Sequence, residues 1–256
     1  MNQDRISRAK RIVIKVGSSS ITGENEGNLD KIVDLAARLM EAGKDVVIVS
    51  SGAIATAAPL IGLSVKSEDL PTSQALASIG QARLMARYER SLSRHKRIPA
   101  QILLTVDNLG EEVTRVNAQR ALERLIEIGV VPVINENDSV ATQEIRFGDN
   151  DQLAARVAVL FEADMLLLLS DVDSLYSAPP SDLRAERIPL VTLDDDLSSI
   201  QVSGTSTGYG TGGALTKLAA AKFASEAGVG VLLTATDNVD VIDSQECNNT
   251  WFEPAD

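Results

Sequence analysis

The sequence predicts an α/β protein, a three-layer αβα sandwich around a mostly parallel sheet. Three observations predict it. Aliphatic and β-branched runs of four to seven residues, apolar on both faces, recur along the chain, as strands covered by helices on two sides require. Longer segments with helical spacing separate them. Compact polar residues gather where the runs stop: Lys15 and Gly17; Ser50, Ser51 and Gly52; Asn135, Asn137 and Asp138; Ser170 and Asp171. In open parallel sheets, ligands bind beyond the carboxyl ends of the strands.

The elements follow in order. Arg11–Val16 reads as a buried strand ending in Gly17 and three serines. Leu29–Ala42 is helical, with apolar residues at 29, 32, 33, 36, 39 and 40 and Gly43 as its stop. Val46–Val49 is the second strand and Gln74–Arg94 a long helix. Ala100–Val106 is the third strand, Val116–Ile128 a helix stopped by Gly129, and Val130–Ile134 the fourth strand. Asp151–Phe161 is helical, Met165–Leu169 is the fifth strand, Ala214–Ala227 a helix and Val229–Ala235 the sixth strand. The least regular part, Val172–Thr207, holds Pro179-Pro180 and the acidic run Asp194–Asp196 and reads as a lid or subdomain loop. No repeat or low-complexity linker divides the chain, so residues 1–256 read as one domain.

With 44% hydrophobic and only 3% aromatic residues, the core must be aliphatic. A net charge of −12 argues against general nucleic-acid or membrane-surface binding. Any polyanionic ligand must meet a local cluster of positive groups. The single cysteine, Cys247, excludes an internal disulfide and fits a reducing compartment. No apolar run reaches the ~18 residues of a membrane span, and the polar start lacks a signal peptide's apolar core. The expected location is the cytoplasm.

The stretch Gly208–Lys217 carries four glycines within six residues and leads straight into a helix. Glycines let backbone amides approach a ligand closely, and a helix start aims free N–H groups and the positive dipole end at the same point. With Lys217 in the first turn, the arrangement suits a phosphate. Glycines 208, 210 and 213 also fit the dinucleotide fingerprint G-x-G-x-x-G, but the lead-in Asp194–Thr207 is small and polar, whereas that fingerprint needs a strand there. A P-loop would place Lys directly after the last glycine, and here Thr216 precedes Lys217. Read alone, the stretch also fits a flexible surface loop.

Lys15 lies inside a β-branched run, an unusual place for a lysine unless it snorkels from an edge. Paired with Lys217, it would neutralise a triphosphate and a transferring phosphoryl group. In Phe147–Asp151, three consecutive cap residues, Asp149, Asn150 and Asp151, exceed what one helix cap needs; the spare carboxylate would position the lysines or a metal-bound nucleotide. Asn135–Asp138 reads either as a turn or as acceptors for a substrate amine. No general base is evident. His95, the sole histidine, sits in the basic stretch Arg94–Arg97 and reads as exposed. A carboxylate acceptor would need no base, being ionised at neutral pH.

Five motifs, Ile14–Ser18, Ser50–Ala55, Val133–Asp138, Gly148–Asp151 and Gly210–Lys217, resemble those of the glutamate 5-kinases, within the amino acid kinase superfamily. The resemblance runs from about residue 10 to residue 252. It implies ATP-dependent phosphorylation of the glutamate side-chain carboxylate, the first step of proline synthesis, with Mg2+ carried on the ATP phosphates. By this resemblance Lys15 and Lys217 contact ATP and the transferring phosphoryl group, and Asp151 organises them. Ser51, Gly52, Asn135, Asp138 and Asn150 bind L-glutamate. Gly17, Ser18, Ser170, Asp171 and the run Thr211, Gly212, Gly213, Ala214, Leu215 and Thr216 line the nucleotide site. It further implies a homo-oligomer (dimer or tetramer), proline as feedback inhibitor, and a glutamyl phosphate reductase as partner.

Three departures stand out. Many of these kinases carry an RNA-modification-type C-terminal (PUA) domain, which the sequence does not show after Phe252. Ala214 and Leu215 stand where Met and Ser are common, and Ser174 where glycine is common. Competing expectations are a sister kinase acting on acetylglutamate, aspartate or uridylate, a nicotinamide-dependent oxidoreductase, and a nucleotide-binding regulatory subunit.

Overall fold

The computed structural model of the chain describes residues 2–63, 69–140, 150–178, 182, 184–195 and 214–256. Helix α1 (Asn2–Arg8) leads into β1 (Arg11–Val16), α2 (Asn28–Glu41), β2 (Asp45–Ser50) and the short α3 (Ala53–Ala57). Then come α4 (Leu70–Ser93), β3 (Pro99–Leu104), α5 (Val106–Gly110), α6 (Glu112–Glu127), β4 (Val131–Glu136), α7 (Asn150–Leu160) and β5 (Met165–Ser170). The last part holds β6 (Leu175–Tyr176), β7 (Arg187–Ile188), β8 (Leu190–Val191), α8 (Ala214–Glu226), β9 (Gly230–Ala235) and β10 (Thr250–Phe252).

The main sheet has the order β3-β4-β2-β1-β5-β9-β10-β8. Its pairs are parallel except β9 with β10. Strand β1 is central, with Ile14 opposite Ile48 on one side and Leu167 on the other. Chain order runs from β1 outward through β2 to β3 and β4, then returns to β5 on the other flank. Connections thus diverge beside β1, the kind of switch point where α/β sheets open a crevice.

Strand periodicity sorts the core into two layers. Ile12, Ile14 and Val16 face α2 and α4 with Val46, Ile48, Leu84 and Tyr88. Val13, Val47 and Val49 face the other way, with Leu153, Val157, Ala220 and Ala224 of α7 and α8. Lys15 has the parity of Val13 and so lies on the α7 side. Ser50 and Asn135 have the parity of Ile48 and Val133 and so lie on the α4 side.

Helix α4 begins at Asp69, whose carboxylate accepts from Thr72 N at 3.0 Å as an N-cap does. It approaches α3 backbone to backbone: a Cβ at Gly80 would stand 1.7 Å from the Ala53 carbonyl oxygen. Gly230 likewise makes room for the Trp251 ring, 2.3 Å from where its Cβ would be.

The expected strands and helices all appear, with shifted ends. The third strand stops at Leu104 rather than Val106, because Thr105 caps α5 by accepting from Asn108 N at 3.1 Å. Helices α3 and α5, of five residues each, are too short to show a helical period. Strand β10 continues the sheet beyond β9 from a segment without alternation. The described part of Val172–Thr207 forms the β6–β7 hairpin and adds β8 to the sheet edge.

Candidate active site

The carboxyl ends of β1, β2, β4 and β5 lie side by side, and the site is built on them. The turn after β2 depends on Gly52, whose φ of +107° places it in the left-handed region that a side chain disfavours. It throws the chain directly into α3 and leaves Ser51 at the crevice.

Asp151, in the first turn of α7, is held between two ammonium groups. Lys15 Nζ pairs with Asp151 Oδ1, and Lys217 Nζ lies 3.1 Å from Oδ2. Side-chain exposures of 6% for Lys15, 2% for Asp151 and 13% for Lys217 mean that little water screens this triad. Burial alone would push the Asp151 carboxyl up; the two lysines override it and hold the group below its ordinary value. The triad carries one net positive charge at neutral pH, in a site suited to an anion. A Cβ at Gly17 would stand 3.7 Å from Lys15 Nζ, so this turn lies directly against the ammonium.

Beside the triad runs a row of amides. Asn135 Nδ2 donates to Gln81 Oε1 at 2.7 Å, and Asn135 Oδ1 accepts from Glu136 N at 2.8 Å and from Asn150 Nδ2 at 3.1 Å. Asn150 Nδ2 also donates to Ser51 Oγ at 2.6 Å. Ser51, Asn135 and Asn150, expected from different parts of the chain, are thus joined. Asp138 follows at the exit of β4, and burial pushes its carboxyl up to about 6.

On the β5 side, Ser170 Oγ donates to Asp171 Oδ1 at 3.0 Å. Thr236 Oγ1 lies 2.8 Å from Ser20 Oγ and 3.1 Å from the Ser170 carbonyl oxygen, tying together the exits of β1, β5 and β9. Leu215 and Thr216 open α8 just before Lys217, Leu215 being largely exposed. Ala214 starts that helix. Thr211, Gly212, Gly213 and the rest of the glycine stretch from Gly208 lie outside the described residues, as does Asp149. Ser18 sits in the turn after β1, where its carbonyl accepts from Thr22 Oγ1 at 2.8 Å.

Sequence reasoning missed three supports, all on α4. Gln81 anchors Asn135. Tyr88 Oη donates to Ser50 Oγ at 2.8 Å, and Ser50 Oγ donates onward to the Ser51 carbonyl at 3.0 Å. Arg87 donates to the carbonyls of Ile21 and Glu26 at 2.7 and 2.9 Å, pinning the loop after β1. The signal was present: Gln81 and Tyr88, seven residues apart, share the buried helical stripe of Leu84. Polar groups at core positions of a helix require partners. His95 departs from expectation too. Its Nε2 lies 2.6 Å from Asp34 Oδ1, at the end of α4 that faces the amino ends of the strands, away from the site.

The sequence pattern of the amino acid kinase family matches residues 10–234. A glutamate 5-kinase of Clavibacter michiganensis subsp. michiganensis is 52% identical over 249 residues, covering 97% of this chain and 96% of that protein. A glutamate 5-kinase of Leifsonia xyli subsp. xyli is 50% identical over 255 residues, with 99% and 94% coverage. Among solved structures, a carbamate kinase from Giardia lamblia bound to AMP-PNP superposes with a TM-score of 0.67 at 13% identity, over 97% of this chain and all of that one; that likeness concerns the fold.

Proposed function

The chain belongs to the amino acid kinase family, and we propose that it transfers the γ-phosphoryl group of ATP to the side-chain carboxylate of L-glutamate. The product is L-glutamyl 5-phosphate, formed in the first step of proline synthesis. Half-identity to glutamate 5-kinases over nearly the whole length of both chains supports this reading. The observation that carries the chemistry is the Lys15–Asp151–Lys217 triad beside the Ser51–Asn150–Asn135 row.

In the transfer, a carboxylate oxygen of glutamate forms a bond to the γ-phosphorus. The bond from that phosphorus to the bridging oxygen breaks, and its electron pair leaves with ADP. The nucleophile is already ionised at neutral pH, so no residue has to remove a proton. The barrier is charge repulsion and alignment. Lys15 and Lys217 offset the charge on the transferring group, and being desolvated they do so more strongly than in water. Asp151 keeps the two ammonium groups near each other and aimed. Ser51, Gly52, Asn135, Asp138 and Asn150 receive the amino acid; Gly17, Ser18, Ser170, Asp171 and residues 211–217 receive the nucleotide. Magnesium suits this set when carried by the ATP phosphates, where it would neutralise their charge, because Asp151 is already engaged by two lysines.

The same reading takes residues 1–256 as a single kinase domain acting in the cytoplasm as a homo-oligomer. No helix among the described residues is long and apolar enough to cross a membrane. Proline would compete at the glutamate site, and a reductase would consume the unstable acyl phosphate.

The test is ATP consumption with magnesium in the presence of hydroxylamine, which traps acyl phosphates, with glutamate, acetylglutamate, aspartate and uridylate as acceptors. Hydroxamate from glutamate alone is expected. Turnover of another acceptor instead would make this a sister kinase; ATP binding without any turnover would make it a regulatory subunit.

A further inference from the structure

The amide row has a fixed polarity, and the residue that closes it belongs to no predicted site. The backbone N–H of Glu136 fixes which end of Asn135 is oxygen, since it must find an acceptor. Asn135 Nδ2 is thereby turned toward α4, where only an acceptor can meet it. Gln81 Oε1 is that acceptor, at 2.7 Å. Asn135 Oδ1 in turn requires a donor from Asn150, which is Nδ2 at 3.1 Å. The second hydrogen of that amide goes to Ser51 Oγ at 2.6 Å. Having accepted, Ser51 keeps its own hydrogen to donate.

Two buried atoms of the row have no partner among the described residues: Gln81 Nε2 at one end and Asn150 Oδ1 at the other. Buried polar atoms are ordinarily satisfied, so an unfilled acceptor in a crevice points to a ligand donor. Asn150 Oδ1 and the Ser51 hydroxyl thus offer one acceptor and one donor next to each other, complementary to the ammonium and α-carboxylate of an amino acid.

We propose that Gln81 is a positioning residue of the acceptor site, holding Asn135 so that Asn150 presents its oxygen, not its amide nitrogen, to the substrate ammonium. This rests on the acceptor being glutamate. Gln81 reaches Asn135 because its neighbour Gly80 lets α4 touch the Ala53 backbone. Without an acceptor at residue 81, Asn135 Nδ2 is a buried orphan donor, and the side chain gains by swinging away to find water. Asn150 then loses the contact that fixes its orientation.

The experiment compares wild-type enzyme with Gln81→Met and Gln81→Glu in the hydroxamate assay. Glutamate KM, ATP KM and kcat are measured, together with inhibition by glutarate, which is glutamate without its ammonium group. Gln81→Met is expected to raise the glutamate KM about tenfold while leaving the ATP KM and the glutarate inhibition constant unchanged. Gln81→Glu keeps an oxygen facing Asn135 and is expected to restore most of the loss. KM does not depend on the fraction of molecules that fold, so partial misfolding cannot imitate this result. An unchanged glutamate KM, a parallel rise in the glutarate constant, or no rescue by Gln81→Glu overturns the assignment of Gln81 alone. Absence of hydroxamate from glutamate with the wild-type enzyme overturns the glutamate reading, and the ammonium contact with it.

Discussion

Lys217 Nζ lies 3.1 Å from Asp151 Oδ2, while Lys15 holds the other oxygen of the same carboxylate. Two lysines from opposite ends of the chain are therefore organised by one residue of a third element. Asp151→Asn leaves two buried ammonium groups without a counter-charge, which should cost on the order of 3 kcal/mol at pH 7. The lowered Asp151 pKa contributes stability that is full above the ordinary carboxylate pKa and fades as pH falls through the folded value. The gap in Tm between wild type and Asp151→Asn is accordingly expected to be widest at neutral pH and to close in acid. A gap independent of pH would show that the carboxylate's charge plays no part.

Lys217→Ala tests the other half of the pair. If Lys217 meets the transferring phosphoryl group as proposed, removing this preorganised charge should lower kcat by about 10²-fold or more. Steady-state kinetics at saturating ATP separates this from weaker nucleotide binding. An unchanged kcat would remove Lys217 from the chemistry.

Asp138 gives a pH signature. Its carboxyl, pushed up to about 6 by burial, takes up a proton in a range where the groups of glutamate itself do not titrate. If the ionised form receives the substrate amine, the glutamate KM rises as pH falls from 7 to 5 and the ATP KM does not. Stability runs the other way. A carboxyl whose folded pKa is raised favours the fold at low pH, and that contribution is lost as pH rises through about 6. Asp138→Asn should thus raise Tm at pH 7 while raising the glutamate KM. A flat glutamate KM between pH 5 and 7 would separate Asp138 from the substrate.

Much of this was legible in the sequence because the sheet is buried on both faces. Runs such as Val46–Val49 and Met165–Leu169 leave little choice but a covered parallel strand, and their polar stops mark the crevice. Lys15 was legible for the same reason, being out of place in an aliphatic run. What stayed hidden was the contribution of α4. Gln81 and Tyr88 look like ordinary members of a long helix until the fold brings them against Asn135 and Ser50, strand ends distant in sequence. Short helices were hidden because α3 depends on the left-handed Gly52, a local event without periodicity.

Tyr88→Phe isolates one of these hidden contacts. The ring stays packed, and only the hydrogen bond to Ser50 Oγ is removed. Ser50 still donates to the Ser51 carbonyl, so no donor is orphaned. A loss of about 1 kcal/mol is expected, a fall in Tm of about 2–4 °C for a chain of this size. The glutamate KM should rise and the ATP KM stay constant, because Tyr88 supports the β2 exit. A change in the ATP KM instead would mean that Tyr88 supports the nucleotide side.

Gly80→Ala reaches the same site through the backbone. The added Cβ would meet the Ala53 carbonyl oxygen at 1.7 Å, a distance no side-chain rotation can relieve. Either α4 retreats or α3 moves. Overpacking of this kind costs about 1–3 kcal/mol. Retreat of α4 would draw Gln81 from Asn135, and movement of α3 would displace Ser51 and Gly52, so both routes disturb the proposed glutamate subsite. Lys15, Asp151 and Lys217 sit on β1, α7 and α8, away from this contact. The expected outcome is a lower Tm and a raised glutamate KM, with ATP binding, measured by titration calorimetry, preserved. Equal weakening of both substrates would show that the two subsites are not mechanically separate.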